Sequence, residues 1–294
     1  MIIDVHAHPL LFDLITPGSG DSVFEWRRQN FGLYKSGITS AEFFLKVADH
    51  AKVDRTVLLP EDYSAEMGRP LISNDEIAKI VTFAPERFIG FASVDPRSGG
   101  AAEELERAFT DLKLSGLKLN LSHLHMFPSD ARLRPLLELC LRYGKPVTFH
   151  CGYSWEPDSP SKYSRPIDFE DMAVEYPELR FCLAHLGFPW VAETVMMILK
   201  YPNVYTDTST VFMGSPRDWY RQIFTVDMGI DWLENNFADK VMYGSNNPRW
   251  RQERALDGLL SLGLREDVVR KITGENALRF LGMETADVAS ADRR

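Results

Sequence analysis

Short runs of apolar and β-branched residues, each closed by turn residues, recur along the whole chain and read as strands. They are 2–6, 56–59, 88–94, 117–120, 146–150, 180–185, 204–207 and 240–244. Between them lie segments whose apolar residues return every three to four positions, as from Ala101 to Leu112, Leu133 to Tyr143, Pro166 to Tyr176, Ala192 to Lys200 and Gln252 to Leu262. That period is helical, so strand and helix alternate from end to end. Alternation of this kind predicts parallel strands joined by right-handed crossovers, and eight units in one chain predict a closed (β/α)8 TIM barrel rather than an open sheet.

Helix-ending phrases precede several strands: Ala84-Pro85-Glu86-Arg87, Tyr143-Gly144-Lys145, Tyr176-Pro177-Glu178 and Tyr201-Pro202-Asn203. Proline cannot continue a helix and glycine takes its left-handed terminal position, so these phrases form tight connections at the barrel's bottom. Longer connections follow the strands, from Pro9 to about Ser40, Cys151 to Arg165 and Ser209 to about Asp231. They bring Trp26, Trp155, Trp219 and Tyr153 to the top rim, where such barrels contact ligands. The sequence contains no internal repeat or linker. One barrel domain over residues 1–283 and a polar tail over 284–294 are expected.

Composition leaves this picture standing and narrows the partners. Of the 294 residues 45% are hydrophobic and 26% charged, the balance of a folded globular chain. The net charge of −9 and the absence of any basic run argue against nucleic acid or an anionic membrane, both of which require concentrated positive charge. With neither a secretory leader pattern nor a membrane-length apolar stretch, the expected location is cytoplasmic. Cys140, Cys151 and Cys182 are odd in number and lack CxxC spacing, so free buried thiols are expected.

The chemistry lies at the strands' C-terminal ends. His6 and His8 follow the first strand, His150 the fifth, His185 the sixth, Asp207 the seventh and Asn246 the eighth, which places four of the seven histidines at one rim. His6-Ala7-His8 has strand spacing, so both imidazoles face one way and can share a cation through neutral ring nitrogens at about 2.0–2.1 Å.

The phrases Ile3-Asp4-Val5-His6-Ala7-His8, Gly116-Leu117-Lys118-Leu119, Pro146-Val147-Thr148-Phe149-His150-Cys151-Gly152, Ala184-His185-Leu186-Gly187, Asn203-Val204-Tyr205-Thr206-Asp207-Thr208-Ser209, Tyr243-Gly244-Ser245-Asn246 and Gly274-Glu275-Asn276-Ala277 span nearly the whole chain. In them the sequence resembles the amidohydrolase superfamily, in particular the branch of aminocarboxymuconate-semialdehyde decarboxylase and its amidohydrolase 2 relatives. The resemblance implies one divalent metal on His6, His8 and His150, zinc first and manganese second, with His185 beside it polarising substrate or holding metal-bound water. It also implies a mononuclear site in which Lys118 is not a ligand.

One departure matters. The family's eighth strand ends in Gly-Ser-Asp or Gly-Thr-Asp, whereas this chain reads Gly244-Ser245-Asn246. A neutral amide binds a cation more weakly than a carboxylate and accepts no proton at ordinary pH. His185 and Asp207 are therefore the candidate replacement bases, Asp207 with a loop-capping role as its plainer alternative, and a weakly occupied or empty metal site stays open.

The first functional expectation is metal-dependent hydrolysis of a small ester, lactone or amide. The second is non-oxidative decarboxylation of an aromatic or muconate-type acid, and the third a catalytically silent barrel. Either reaction takes a small substrate, expected to be anionic, for which Arg165, Arg249 and Arg251 are candidate anchors. Trp155, Tyr153, His123 and His125 are further candidate contacts, and a homodimer is a plausible assembly.

Overall fold

The computed structural model describes residues 1–209 and 214–283, so the expected tail over 284–294 lies outside the described residues. Eight parallel strands are present: β1 (Ile3–Ala7), β2 (Arg55–Leu58), β3 (Phe88–Gly90), β4 (Leu117–Leu119), β5 (Val147–Phe149), β6 (Phe181–Leu183), β7 (Val204–Asp207) and β8 (Val241–Met242). They pair in chain order as two sheets, β1 to β3 and β4 to β8. Isolated parallel bridges, Ala92 to Leu117 and Ala7 to Asn247, join the sheets at both seams. The order around the axis is therefore that of a (β/α)8 TIM barrel.

Several strands are shorter than the apolar runs that foretold them. Beyond Gly90 the ladder continues as the bridge at Ala92, and beyond Met242 as the bridge at Asn247. The long top connections are also more ordered than expected. Helix Ser22–Asn30, capped by the Asp21 side chain, sits within the first of them, and helix Pro216–Arg221 within that following β7. Trp219 belongs to the latter helix and is fully buried, donating Nε1–H to Thr208 O, so it packs instead of lining the rim.

Alternate strand residues divide into two cores. Phe88, Leu117, Leu119, Val147, Phe149, Phe181, Leu183, Val204 and Val241 face the helices. Ile3, Val5, Val57, Ile89, Cys182, Tyr205 and Met242 form the other core, together with Leu278, Phe280 and Leu281 of the last helix, Asn276–Leu281. This second core is the barrel interior, closed from below by that helix.

The interior register carries one interruption, and it falls at the first strand. Asp4 pairs with Thr56 and Ala7 with Leu58, so β1 has one extra residue between them. Such a bulge re-aims the following side chains. Ile3 and Val5 point inward while Asp4 turns outward to Ser245 and Gln252, yet past the bulge His6 faces the interior. Without the extra residue His6 would share the outward face of Asp4.

Gly152 fixes the loop after β5. Its φ is +92°, and a Cβ there would lie 2.2 Å from Phe188 O and 2.6 Å from Gly187 C. The backbone it would meet cannot yield, so Gly152→Ala is expected to destabilise the fold by about 2 kcal/mol or more, a melting-point loss of roughly 3 °C or more. A thermal scan of the variant checks it, and an unchanged midpoint would contradict the close approach.

Candidate metal centre and substrate cavity

Each strand-end histidine is turned by a second contact on its far nitrogen. His8 Nδ1 lies 2.8 Å from Leu59 O, a carbonyl that only accepts, so this nitrogen carries the proton. His6 Nδ1 lies 2.9 Å from Asp207 Oδ2, which likewise accepts. The Nε2 atoms of both rings are thus lone-pair donors, and they stand 3.1 Å apart. Two facing lone pairs at that separation repel unless a cation lies between or beside them. The spacing fits two ligands of one ion with bonds of about 2.0–2.1 Å.

His185 follows β6 in a turn where it and Leu186 both take left-handed backbone angles, φ 60° and 52°. That turn carries the ring back over the barrel axis, 4.7 Å from the ring of His6 and 5.0 Å from that of His150. His185 Nδ1 donates to Ser209 Oγ at 2.7 Å, which leaves Nε2 with its lone pair. His150 uses the opposite nitrogen, donating Nε2–H to Tyr153 O at 3.2 Å and keeping Nδ1 free of a proton.

Asp207 ties the group together. Its Oδ1 accepts from the backbone N–H of His185 and of Ser209, each at 3.0 Å, and from the Ser209 hydroxyl, while Oδ2 accepts from His6. The capping and the imidazole-orienting roles therefore coexist in one carboxylate. One ligand atom each of His6, His185 and Asp207 lies within 4.8 Å of the others. Ser209 Oγ hydrogen-bonds all three residues, so this cluster is a hydrogen-bonded hub. The Nε2 edge of His6 and His8 is the better seat for a cation, and Asp207 the carboxylate that fixes a ligand's tautomer.

Burial keeps the imidazoles neutral. It is the main cause of the depression of all four, reinforced by the Lys118 ammonium; His6, His8 and His185 fall well below their usual range and His150 to about 3. Neutral nitrogens are what a metal requires.

These residues open on a cavity of about 1020 Å³. His8, His150, His185 and Asn246 line it together with Lys118 and Glu61. Phe31, Trp155, Phe188 and Trp250 supply apolar walls, a setting suited to a planar ligand. Asn246 has φ 60°, donates its backbone N–H to His6 O at 2.9 Å, and takes the rim position of the resemblance's missing carboxylate.

The other expected contacts separate. Trp155 and Arg249 line the cavity, and Arg249 also stands over the Phe31 ring and donates to Phe31 O. Tyr153 is partly exposed, edge-on to Trp155, and brings its carbonyl to His150. Arg165 is not among the cavity's lining residues: it forks onto Glu193 on the surface, and that carboxylate matches its charge. His123 is buried and stacked on Tyr63 behind the wall, and His125 bonds Asp158 O. Arg251 precedes helix Gln252–Leu260 and is exposed.

Sequence reasoning passed over Glu61, Ser209 and Phe31. Glu61 ends the β2 segment just as the histidines end theirs, so the same rule of strand ends points to it. Phe31 comes from inside the first long connection and left no local signal. The three cysteines are free and buried as expected, and among the described residues no helix is long and apolar enough to cross a membrane.

A family model described as amidohydrolase matches residues 3–283. The chain is 26% identical over 239 residues to the 2-amino-3-carboxymuconate-6-semialdehyde decarboxylase of Dictyostelium discoideum, a match covering 72% of this chain and 66% of that relative's length. Among solved structures, an uncharacterized TIM-barrel protein from Bordetella bronchiseptica aligns with a TM-score of 0.71 at 20% identity, covering 96% of this chain and 98% of the other. A dihydroxybenzoic acid decarboxylase from Polaromonas sp., with bound manganese and the inhibitor 2-nitroresorcinol, aligns with a TM-score of 0.67 at 16% identity, covering 96% of both chains.

Proposed function

The chain belongs to the amidohydrolase family, and on that premise we propose that it is a metal-dependent carboxy-lyase that removes CO₂ from a small aromatic or muconate-type carboxylic acid. The observation that carries the reading is the pair of Nε2 lone pairs of His6 and His8, 3.1 Å apart, at an aromatic-walled cavity whose eighth-strand rim holds an amide. Hydrolysis, the first expectation from sequence, needs a group to take a proton from attacking water. Asn246 cannot do so, and of the replacement bases Asp207 is filled by hydrogen bonds, which leaves His185 alone for that task. Decarboxylation instead needs a seat for an anion and a proton delivered to carbon. The named activity of the Dictyostelium relative also favours it over hydrolysis.

In this reading His6, His8 and His150 hold one divalent ion, zinc or manganese, which supplies Lewis-acid binding of a carboxylate and its neighbouring oxygen when present. His6 is held by Asp207 and His8 by Leu59 O, which sets two of the rings, while His150 rests on Tyr153 O and joins them as the third ligand of this reading. Phe31, Trp155 and Phe188 exclude water from the ring of the substrate. As the bond from the ring to the carboxylate breaks, its electron pair stays on the ring carbon, which must gain a proton. His185 and Glu61, both on the cavity, are the candidates to move it; burial pushes the Glu61 carboxyl up, so it keeps its proton more readily.

The test is CO₂ release. Purified protein loaded with manganese or zinc is expected to liberate CO₂ from 2,6-dihydroxybenzoate or another member of a carboxylated phenol and muconate panel. Acid release from lactones with no CO₂ from any acid would overturn the assignment in favour of hydrolysis.

A further inference from the structure

The central residue of β4, Lys118, points into the barrel and is 1% exposed. Its Nζ has no hydrogen-bond partner, and of the buried polar atoms in that condition among the described residues it alone belongs to a residue lining the cavity. An ammonium carries three donors, and leaving them all unmet away from water costs more than leaving a neutral group so.

The carboxylates nearby are engaged elsewhere. Glu61 accepts from the Tyr63 hydroxyl, and Asp207 is filled by His6, Ser209 and the His185 N–H. The imidazoles are held neutral and offer no counter-charge. Of the arginines expected to receive an anion, Arg165 is spent on Glu193, and Arg249 bonds Phe31 O and lies 3.6 Å from Glu156. Burial and the cationic side chain oppose each other at Lys118, and an incoming anion resolves the conflict.

We propose that Lys118 is the anion anchor of the cavity, its ammonium receiving a carboxylate oxygen of the ligand on the interior wall formed by β4. The lysine that the sequence resemblance sets aside as a non-ligand thus binds substrate rather than metal. The inference deepens the carboxy-lyase reading by naming the group that recognises the acid. It also selects the ligand class: a planar carboxylate bound well, and its neutral amide bound poorly. Because a single amine recognises charge without the fork of a guanidinium, the site discriminates by charge more than by the orientation of the carboxylate.

Calorimetric titration with benzoate and with benzamide, on the full chain loaded with manganese and again after chelation, tests this independently of turnover. Wild-type protein is expected to bind benzoate at least about tenfold more tightly than benzamide in both forms. Lys118→Met is expected to lose that preference while its melting point holds or rises, since an unmet buried charge is removed. Lys118→Arg is expected to keep a preference for benzoate.

A wild-type protein that binds the two probes equally overturns the proposal even if no variant folds. So does a folded Lys118→Met with benzoate affinity unchanged, or one whose melting point falls with the preference intact, which would make the lysine structural. Failure to release CO₂ from any acid, with the benzoate preference and its loss in Lys118→Met both seen, would sink the carboxy-lyase reading and leave the anchor in place.

Discussion

His6→Ala and His150→Ala are each expected to lower metal uptake at least about a hundredfold while the barrel stays folded. Elemental analysis of each purified variant after dialysis against zinc or manganese, alongside its circular dichroism spectrum, measures both halves. His6 contributes one of the two facing Nε2 atoms, so its removal leaves His8 without the neighbour that makes the ligand edge. The fold tolerates the loss because Asp207 still accepts from the His185 N–H, the Ser209 N–H and the Ser209 hydroxyl. His150 is the milder case for folding, since its ring gives up a single bond to Tyr153 O. Full metal content in the folded His6 variant would refute the proposed seat.

Asn246→Asp is expected to tighten metal binding by at least about tenfold, roughly 1.4 kcal/mol, read by competition with a chromogenic chelator. The residue's backbone angle, φ 60°, is one that aspartate tolerates as well as asparagine, so the change introduces charge without new strain. Its backbone N–H to His6 O keeps the position beside the ligand edge. Without metal the added carboxylate sits in a buried, low-dielectric setting and weakens the fold; with metal it is neutralised. The melting-point gain on adding manganese is therefore expected to be larger in the variant than in wild type. An equal gain in both would mean that the side chain at 246 does not face the ion. The silent-barrel expectation fails if wild-type protein binds metal and releases CO₂, because the amide is then a working feature of the site.

Much of this molecule is legible as periodicity. Eight apolar runs and the helices between them become eight strands and their crossovers, because each pattern is local and needs no knowledge of a partner. The errors are local in origin too. The run at 88–94 keeps the apolar residues Phe91, Ala92 and Val94 past Gly90, but pairing there depends on what β4 offers, and only Ala92 is met. The first connection carries a side-chain cap at Asp21 and a helix behind it, signals outweighed by its length.

The sequence by itself determined the barrel and the strand ends that carry His6, His8, His150, His185, Asp207 and Asn246, and the family resemblance marked Asn246 as standing where a carboxylate is usual. Tertiary structure alone decided which of these act together. The bulge in β1 turns His6 inward, and it arises from pairing with β2. The contact that fixes its tautomer comes from Asp207, 201 residues away. Arg165 is paired with Glu193 outside the cavity lining, whereas the Lys118 ammonium is buried at the cavity without a hydrogen-bond partner. A side chain's spacing along one strand is set by the backbone it sits on, whereas its charge balance is set by every group folded against it, and only the assembled barrel fixes that company.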